Sequence, residues 1–422
     1  MQALQFNEYG GADVLHVADA PEPHAGPGQI RVLVRALSVN PFDWKLRAGF
    51  MEGMVPVSFP AITGTDAAGV VDEVGVGVVG IRFGDEVFGL GAATAAEFAV
   101  LEFAAPKPPT LSFEEAAAMG LAVEAAARCL DLLELKHGST VLIDGAAGGA
   151  GSAMTQLAVA RGFSVIGTAS EGNHDYLRGL GATATTYGDG LPARIAELGV
   201  TVDGAVDVVG HGSVPELVEI TGDPRRVVTL ADFTAYAHGV HVADGTVARA
   251  AYALTEAAEL HAAGRFTMPV QATFPLEEGG AAQRVGPRAR QDRHHRSLTG
   301  HGVRSVASAT HSQNCSRSAE LGRVRRSTLV GRTRRSCHNS PDAGAGSVAT
   351  SQVVVSVPSA SGRSTGRSVP AKRGSEVSRP GVLAQPGWVA CTETPDAAHR
   401  VSSTGSSSTC PRLLRAYATA PE

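Results

Sequence analysis

The residues best suited to chemistry stand in one run, Val141-Leu142-Ile143-Asp144-Gly145-Ala146-Ala147-Gly148-Gly149-Ala150-Gly151. An apolar stretch leads into a glycine-rich turn, then into a helical pattern with Leu157 and Val159. Small residues at Gly145, Gly148 and Gly151 let a backbone turn sharply and approach a pyrophosphate. A helix opening there offers free N–H groups and the positive end of its dipole. Gly145, Ala147, Gly148, Gly149, Ala150 and Gly151 are therefore the candidate dinucleotide contacts. A tight turn without a ligand would use the same glycines; the strand, helix and next strand in sequence favour the dinucleotide.

The next strand ends Val165-Ile166-Gly167-Thr168-Ala169-Ser170, followed by Glu171. A site specific for NAD places Asp or Glu at this point to hold the ribose 2′-hydroxyl. Hydroxyls at Thr168 and Ser170 accept a 2′-phosphate that a carboxylate repels, so the expected cofactor is NADPH. Asn173, His174 and Arg178 are close enough in sequence to assist. Ser170 equally suits a helix cap, and the two roles are compatible.

These residues need a scaffold. From 121 to 245, strands alternate with helices: Thr140–Asp144, Ala150–Arg161, Ser164–Thr168, Asn173–Leu180, Ala184–Tyr187, Gly204–Val209, Arg226–Leu230 and Gly239–Val242. That rhythm predicts an α/β domain with a doubly wound parallel sheet. Residues 1–120 read instead as short strands broken by Gly and Pro, among them Ile30–Leu37, Ala68–Val74 and Asp85–Phe88, and predict a small β-rich domain. Residues 246–278 return with a helical stripe (Ala250, Leu254, Ala257, Leu260), an extended Phe266–Phe274 and a possible helix start at Pro275.

From Gly279 the composition changes. Residues 279–422 hold 21 Lys and Arg against 7 Asp and Glu, whereas residues 1–278 hold 15 against 34. This last segment is rich in Ser, Arg and Gly and lacks helical or strand periodicity, which predicts a disordered tail with no part in the chemistry. Its arginines (Arg323, Arg325, Arg326, Arg332, Arg334, Arg335) have no aromatic residues between them, so nucleic acid is not an expected partner. Four of the five cysteines lie there without ligand spacing; Cys129 reads as a packed thiol. The chain shows neither a signal peptide nor an apolar run of membrane-spanning length, which points to the cytoplasm.

Four ordered blocks resemble the medium-chain dehydrogenase/reductase superfamily, and within it the zinc-independent quinone oxidoreductases. They are Asn40-Pro41-Phe42-Asp43-Trp44-Lys45 with Arg47 and Gly49; Pro60 with Gly64-Thr65-Asp66-Ala67-Ala68-Gly69-Val70-Val71; Gly84-Asp85-Glu86-Val87-Phe88-Gly89; and the glycine turn. The resemblance spans residues 1–278. It implies a GroES-like catalytic domain (1–120) beside a Rossmann domain (121–245), and hydride transfer from NADPH to a quinone or an α,β-unsaturated carbonyl compound. It also implies a homodimer. By family position Asn40 serves the nicotinamide and the substrate carbonyl, Asp43 and Lys45 order its loop, and Tyr187 packs near the adenine ribose. Plainer roles compete: a turn residue for Asn40, a surface ion pair for Asp43 and Lys45, a strand-edge aromatic for Tyr187. Zinc-dependent relatives carry Cys at the position of Asn40 and His-Glu at Thr65-Asp66, so no metal is expected. Asp66 is expected to fix a loop by accepting backbone N–H groups. Two alternatives stay open: a non-catalytic NADPH-binding redox sensor, and an inactive reductase. The second arises because suitable codons for Arg290–Arg296, shifted by one base, read Gly-Lys-Ile-Val-Ile-Thr, like the family's closing strand. On that reading the closing helix and strand are missing.

Overall fold

The computed structural model describes residues 1–245, 249–285 and 352–358. The first domain contains β1 (Gln2–Phe6), β2 (His16–Asp19), β3 (Ile30–Val39), α1 (Pro41–Arg47), β4 (Ala61–Ile62), β5 (Asp66–Val74), β6 (Glu86–Gly91) and β7 (Phe98–Pro106). β3 alternates buried and half-buried side chains along its first half, as a strand with one face on a core must. β3, β5, β6 and β7 pair in turn, and β7 returns to β3, so four antiparallel strands close on themselves. β2, β1 and β4 form a small separate sheet.

Helix α2 (Phe113–Leu132) joins the two domains. Ser112 and Glu115 start it as a capping box: Ser112 Oγ accepts from Glu115 N at 3.1 Å, and Ser112 N donates to Glu115 Oε2 at 3.0 Å. Its alanines, among them Ala116, Ala117, Ala118, Ala126 and Ala127, are fully buried, which lets both domains approach closely. Glu124 and Arg128 form a buried pair one turn apart, and Arg249 adds a second cation, tying α2 to the chain just before Tyr252. The border expected after residue 120 therefore falls inside a continuous helix. Cys129 is also buried on α2, and burial pushes its thiol up to about 12.

The second domain holds β8 (Thr140–Asp144), α3 (Gly149–Ala160), β9 (Ser164–Thr168), α4 (His174–Gly179), β10 (Thr183–Thr185), α5 (Leu191–Glu197), β11 (Gly204–Asp207), α6 (Val214–Thr221), β12 (Val227–Thr229) and β13 (His241–Val242). All pairings are parallel, in the order β10-β9-β8-β11-β12-β13. The chain winds outward from β8 to β10, then crosses to β11 and winds the other way. The switch point thus lies between the carboxyl ends of β8 and β11, where open sheets of this kind form a ligand crevice. The helix expected over 246–264 is α7 (Tyr252–Ala262), with 246–248 outside the described residues.

The expectation that nothing after Gly279 joins the fold is corrected at two places. Helix α8 (Gly279–Val285) follows β14 (Val270–Pro275) and packs on the first domain, where Arg47 Nε donates to Gln283 Oε1 at 2.7 Å. Strand β15 (Gln352–Ser356) inserts between β14, parallel, and β3, antiparallel. Val353, Val354, Val355 and Val357 are buried. A short run of β-branched residues covered on both faces has no alternation to betray it, which is why it is hard to see in a Ser- and Gly-rich segment. The frame-shift reading at Arg290–Arg296, the arginine-rich run and the four later cysteines lie outside the described residues.

Candidate active site

Two groups of side chains meet the crevice, one from each domain. In the first, Asn40 caps α1, and its backbone N–H donates to Asp43 Oδ2 at 2.7 Å. Asp43 is buried, so it is not one half of a surface ion pair; burial above all, with Asp66 nearby, raises its pKa to about 8. Lys45 lies over the Trp44 ring instead, 6.0 Å from its centroid.

Asn40 Nδ2 reaches Asp66 Oδ2 at 3.0 Å, Ser38 Oγ at 3.0 Å and Thr65 Oγ1 at 3.4 Å. Two amide hydrogens face three acceptors, so none is left for a ligand, and Oδ1 is the atom Asn40 has to offer. Asp66 accepts further bonds from Ser38 N, Ser38 Oγ and Leu121 N. It thereby fixes β3 against the middle of α2, by accepting backbone N–H groups as expected. Burial pushes its pKa up, opposed by this ring of donors. Any contact Asn40 makes at the nicotinamide and substrate carbonyl, where its family position puts it, would therefore be through Oδ1 as an acceptor.

One turn along α1, Trp44 lines a small cavity of about 140 Å³ with Lys45, Phe50, Met51, Met54 and Phe233. Phe233 follows β12, so the cavity lies between the domains at the carboxyl end of the parallel sheet. Trp44 is buried, and its indole N–H has no acceptor among the described residues. Sequence reasoning passed over Phe233 and the Phe50–Met54 stretch because they sit on irregular segments without a motif.

The second group is the glycine turn, where each glycine has a different reason. Gly145 adopts φ +86°, which L side chains rarely do. A Cβ on Gly151 would stand 2.2 Å from the Gly145 carbonyl oxygen, so only glycine lets α3 pack on β8. Gly148 differs: a Cβ there meets only that oxygen, at 3.4 Å, leaving the start of α3 open. Gly148, Gly149 and Ala150 are half-exposed around the unpaired N–H groups of the first turn, whereas Ala147 is buried in the core. Of the six turn residues, Gly148, Gly149 and Ala150 form the open lip, and Gly145, Ala147 and Gly151 shape it.

Thr168 is corrected in the same way. It is fully buried; its Oγ1 accepts from Gly145 N at 3.0 Å and donates to Asp144 Oδ1 at 2.5 Å. Ser213 Oγ donates to the other Asp144 oxygen at 2.7 Å. Thr168 therefore holds the turn, with no hydroxyl left for a 2′-phosphate. Ser170 is exposed and accepts from Asn173 Nδ2 at 3.0 Å. Asn173 is buried, and its Oδ1 has no partner, nor has His174 Nε2. Tyr187 is exposed two residues beyond β10. An open helix start, orphaned polar atoms at the end of β9 and an exposed aromatic beside it fit a dinucleotide. Among the described residues, no three of His, Cys, Asp and Glu gather as a metal site would require, and no helix is long and apolar enough to cross a membrane.

A GroES-like β-domain joined to a Rossmann sheet defines a two-domain dehydrogenase class. The family profile of the alcohol dehydrogenase GroES-like domain matches residues 26–102. A quinone oxidoreductase of Mus musculus is 30% identical over 243 residues, 54% of this chain and 73% of that protein. A 2-methylene-furan-3-one reductase of Solanum lycopersicum is 33% identical over 54% of this chain and 62% of its own length. The chain spans just over half the length of several other curated quinone oxidoreductases. The crystal structure of Escherichia coli quinone oxidoreductase complexed with NADPH superposes with a TM-score of 0.56 at 26% identity, covering 68% of this chain and 96% of that one. The chain belongs to the medium-chain dehydrogenase/reductase superfamily, as a quinone-oxidoreductase-like member.

Proposed function

We propose that this protein transfers hydride from NADPH to a quinone or an α,β-unsaturated carbonyl compound without zinc. The observation that carries the reading is the pairing of an open glycine lip with an apolar, aromatic cavity across one interdomain crevice. Gly149 and Ala150 would hold the pyrophosphate by their N–H groups, with Gly148, whose own N–H donates to Gly145 O, leaving the approach open, and Ser170, Asn173, His174 and Tyr187 would surround the adenine ribose. Bound there, the nicotinamide supplies the hydride. Asn40 Oδ1, aimed by Asp66 and Ser38, accepts a hydrogen bond from the cofactor's amide or ribose hydroxyl and so fixes the ring. Trp44, Phe50, Met51, Met54 and Phe233 give a flat, electron-poor substrate an apolar seat. The Trp44 N–H is a donor for the oxygen on which negative charge develops.

The preference for NADPH rests on Ser170, Asn173 and His174, since Thr168-Ala169-Ser170 at the end of β9 carry no carboxylate, the exposed Glu171 comes only after them, and the Asp144 carboxylate is enclosed by two hydroxyl donors. Titration of both cofactors by fluorescence should give tighter binding of NADPH; equal affinities would remove this part of the reading. We further propose a cytoplasmic homodimer acting on small molecules, with neither nucleic acid nor membrane as partner. A sedimentation profile of a single monomeric species would refute the dimer. The sensor alternative needs only the Rossmann half and leaves the Trp44–Phe233 cavity without a purpose.

A further inference from the structure

We propose that residues 352–358 act as an intrachain latch whose docking is linked to nicotinamide-cofactor binding, with Gln352 as the contact. The inference rests on the dinucleotide reading above. Three observations converge on β15. First, it borders the Asn40 cluster: Val354 stands opposite Ser38 and Val353 opposite Val39, and continuing that register by one residue brings Gln352 alongside Asn40. Second, Gln352 reaches the other domain. A Cβ built on Gly149 would lie 2.4 Å from Gln352 Nε2, so the amide rests directly against the lip at the start of α3. Gln352 is buried. Third, α3 itself is tied to the strand's neighbour. Gln156 on α3 donates to Thr267 O at 2.9 Å and accepts from Thr267 N at 2.8 Å, while Gln352 N donates to Pro269 O at 3.2 Å.

The glycine lip, α3, the start of β14, β15 and Asn40 thus form a closed circuit of contacts. β15 is its most separable member, since residues 286–351 stand between it and α8. A segment that docks only when its sheet neighbours and the lip are in place must be favoured by a ligand that orders the lip, and must favour that ligand in return. The Gln352 amide at the lip gives the linkage its chemical sense: Nε2 is a donor beside the place where an anionic pyrophosphate would lie.

The test uses the full chain. Gln352→Ala should weaken NADPH binding about fivefold, the effect of one neutral hydrogen bond. Gln352→Glu should weaken it more than Ala does, and Gln352→Lys should tighten it with a steeper salt dependence. Backbone hydrogen exchange of residues 352–357 should slow when NADPH is added. A merely structural glutamine would not rank the variants by charge. If the unaltered chain binds NADPH and all three variants bind it equally, or if exchange at 352–357 is indifferent to NADPH, the latch is wrong and the dinucleotide reading stands. If the unaltered chain binds no dinucleotide, both fall.

Discussion

The Asn40 corner lies in the first domain and the Ser170 corner in the second, and they treat polar groups oppositely. Around Asn40 the donors of Ser38, Asn40 and Leu121 are matched within the protein, all of them at Asp66, although the Trp44 N–H one turn along α1 is not. Around Ser170 the matching is left incomplete, with Asn173 Oδ1 and His174 Nε2 buried and unpaired. A buried unpaired polar atom costs about 1–3 kcal/mol. Tolerating two side by side makes sense where a ligand completes them. The first corner is organised within the protein; on the proposed function the second would be completed by the cofactor. The glycines repeat the contrast, since Gly145 and Gly151 are required by the fold and Gly148 is not.

The largest expected effect breaks the open corner alone. Gly148→Val should lower NADPH affinity by on the order of a hundredfold, because its branches fill the lip and displace charge-assisted bonds. Its melting temperature should stay close to that of the unaltered chain. Gly151→Val should do the reverse, losing the cooperative unfolding transition through backbone collision. Calorimetry beside a fluorescence titration separates the two; equal loss of stability in both variants would erase the distinction.

Next comes the prearranged corner. Asp66→Ala removes an acceptor for several buried donors at once and should destabilise the protein by about 3 kcal/mol or more in urea unfolding. A cost comparable to that of a surface substitution would show that the network is not holding β3 to α2.

A smaller effect divides Thr168 from Ser170. Ser170→Asp should weaken NADPH binding about tenfold and spare NADH, through repulsion of the 2′-phosphate. Thr168→Val, which loosens the turn, should weaken both cofactors alike. If Thr168→Val were selective for NADPH, the buried hydroxyl would have to reach the phosphate after all.

These assignments show what the sequence displayed and what it concealed. The strands Thr140–Asp144 and Ser164–Thr168 were legible to the residue, because an apolar run bounded by turn residues has few other uses. The glycine turn was legible as a motif, but the division of labour among its glycines depends on how the turn folds back on itself, Gly151 against the Gly145 carbonyl, and on Val209, which only the fold brings near. Thr168 and Ser170 look equivalent in sequence; Thr168 is the last residue of β9 and buried, whereas Ser170 lies past the strand's end and is exposed. Helix α2 was missed because a run of alanines carries no amphipathic stripe, although the Ser112–Glu115 cap marked its start. β15 had no readable signal, since its partners lie more than 80 residues away or at the other end of the chain.

The smallest expected effect is on pH dependence. Asp43, raised to about 8, keeps its proton in the folded protein at pH values where the unfolded chain, with a pKa near 3.8, has released it. Its contribution to stability is therefore complete below about pH 4 and declines as pH rises towards 8. Asp43→Asn should flatten that decline in melting temperature relative to the unaltered chain. A parallel pair of pH profiles would mean that Asp43 is ionised throughout.

The central claim is that one crevice brings a dinucleotide lip to an apolar, metal-free substrate seat. Its most direct test is turnover: NADPH consumption with a benzoquinone and with a simple enone, before and after treatment with a strong zinc chelator. The account predicts consumption matched one-to-one by reduced product, unchanged by the chelator and slower with Phe233→Ala. Tight NADPH binding with no consumption of either acceptor, or activity abolished by the chelator and restored by zinc, would contradict it.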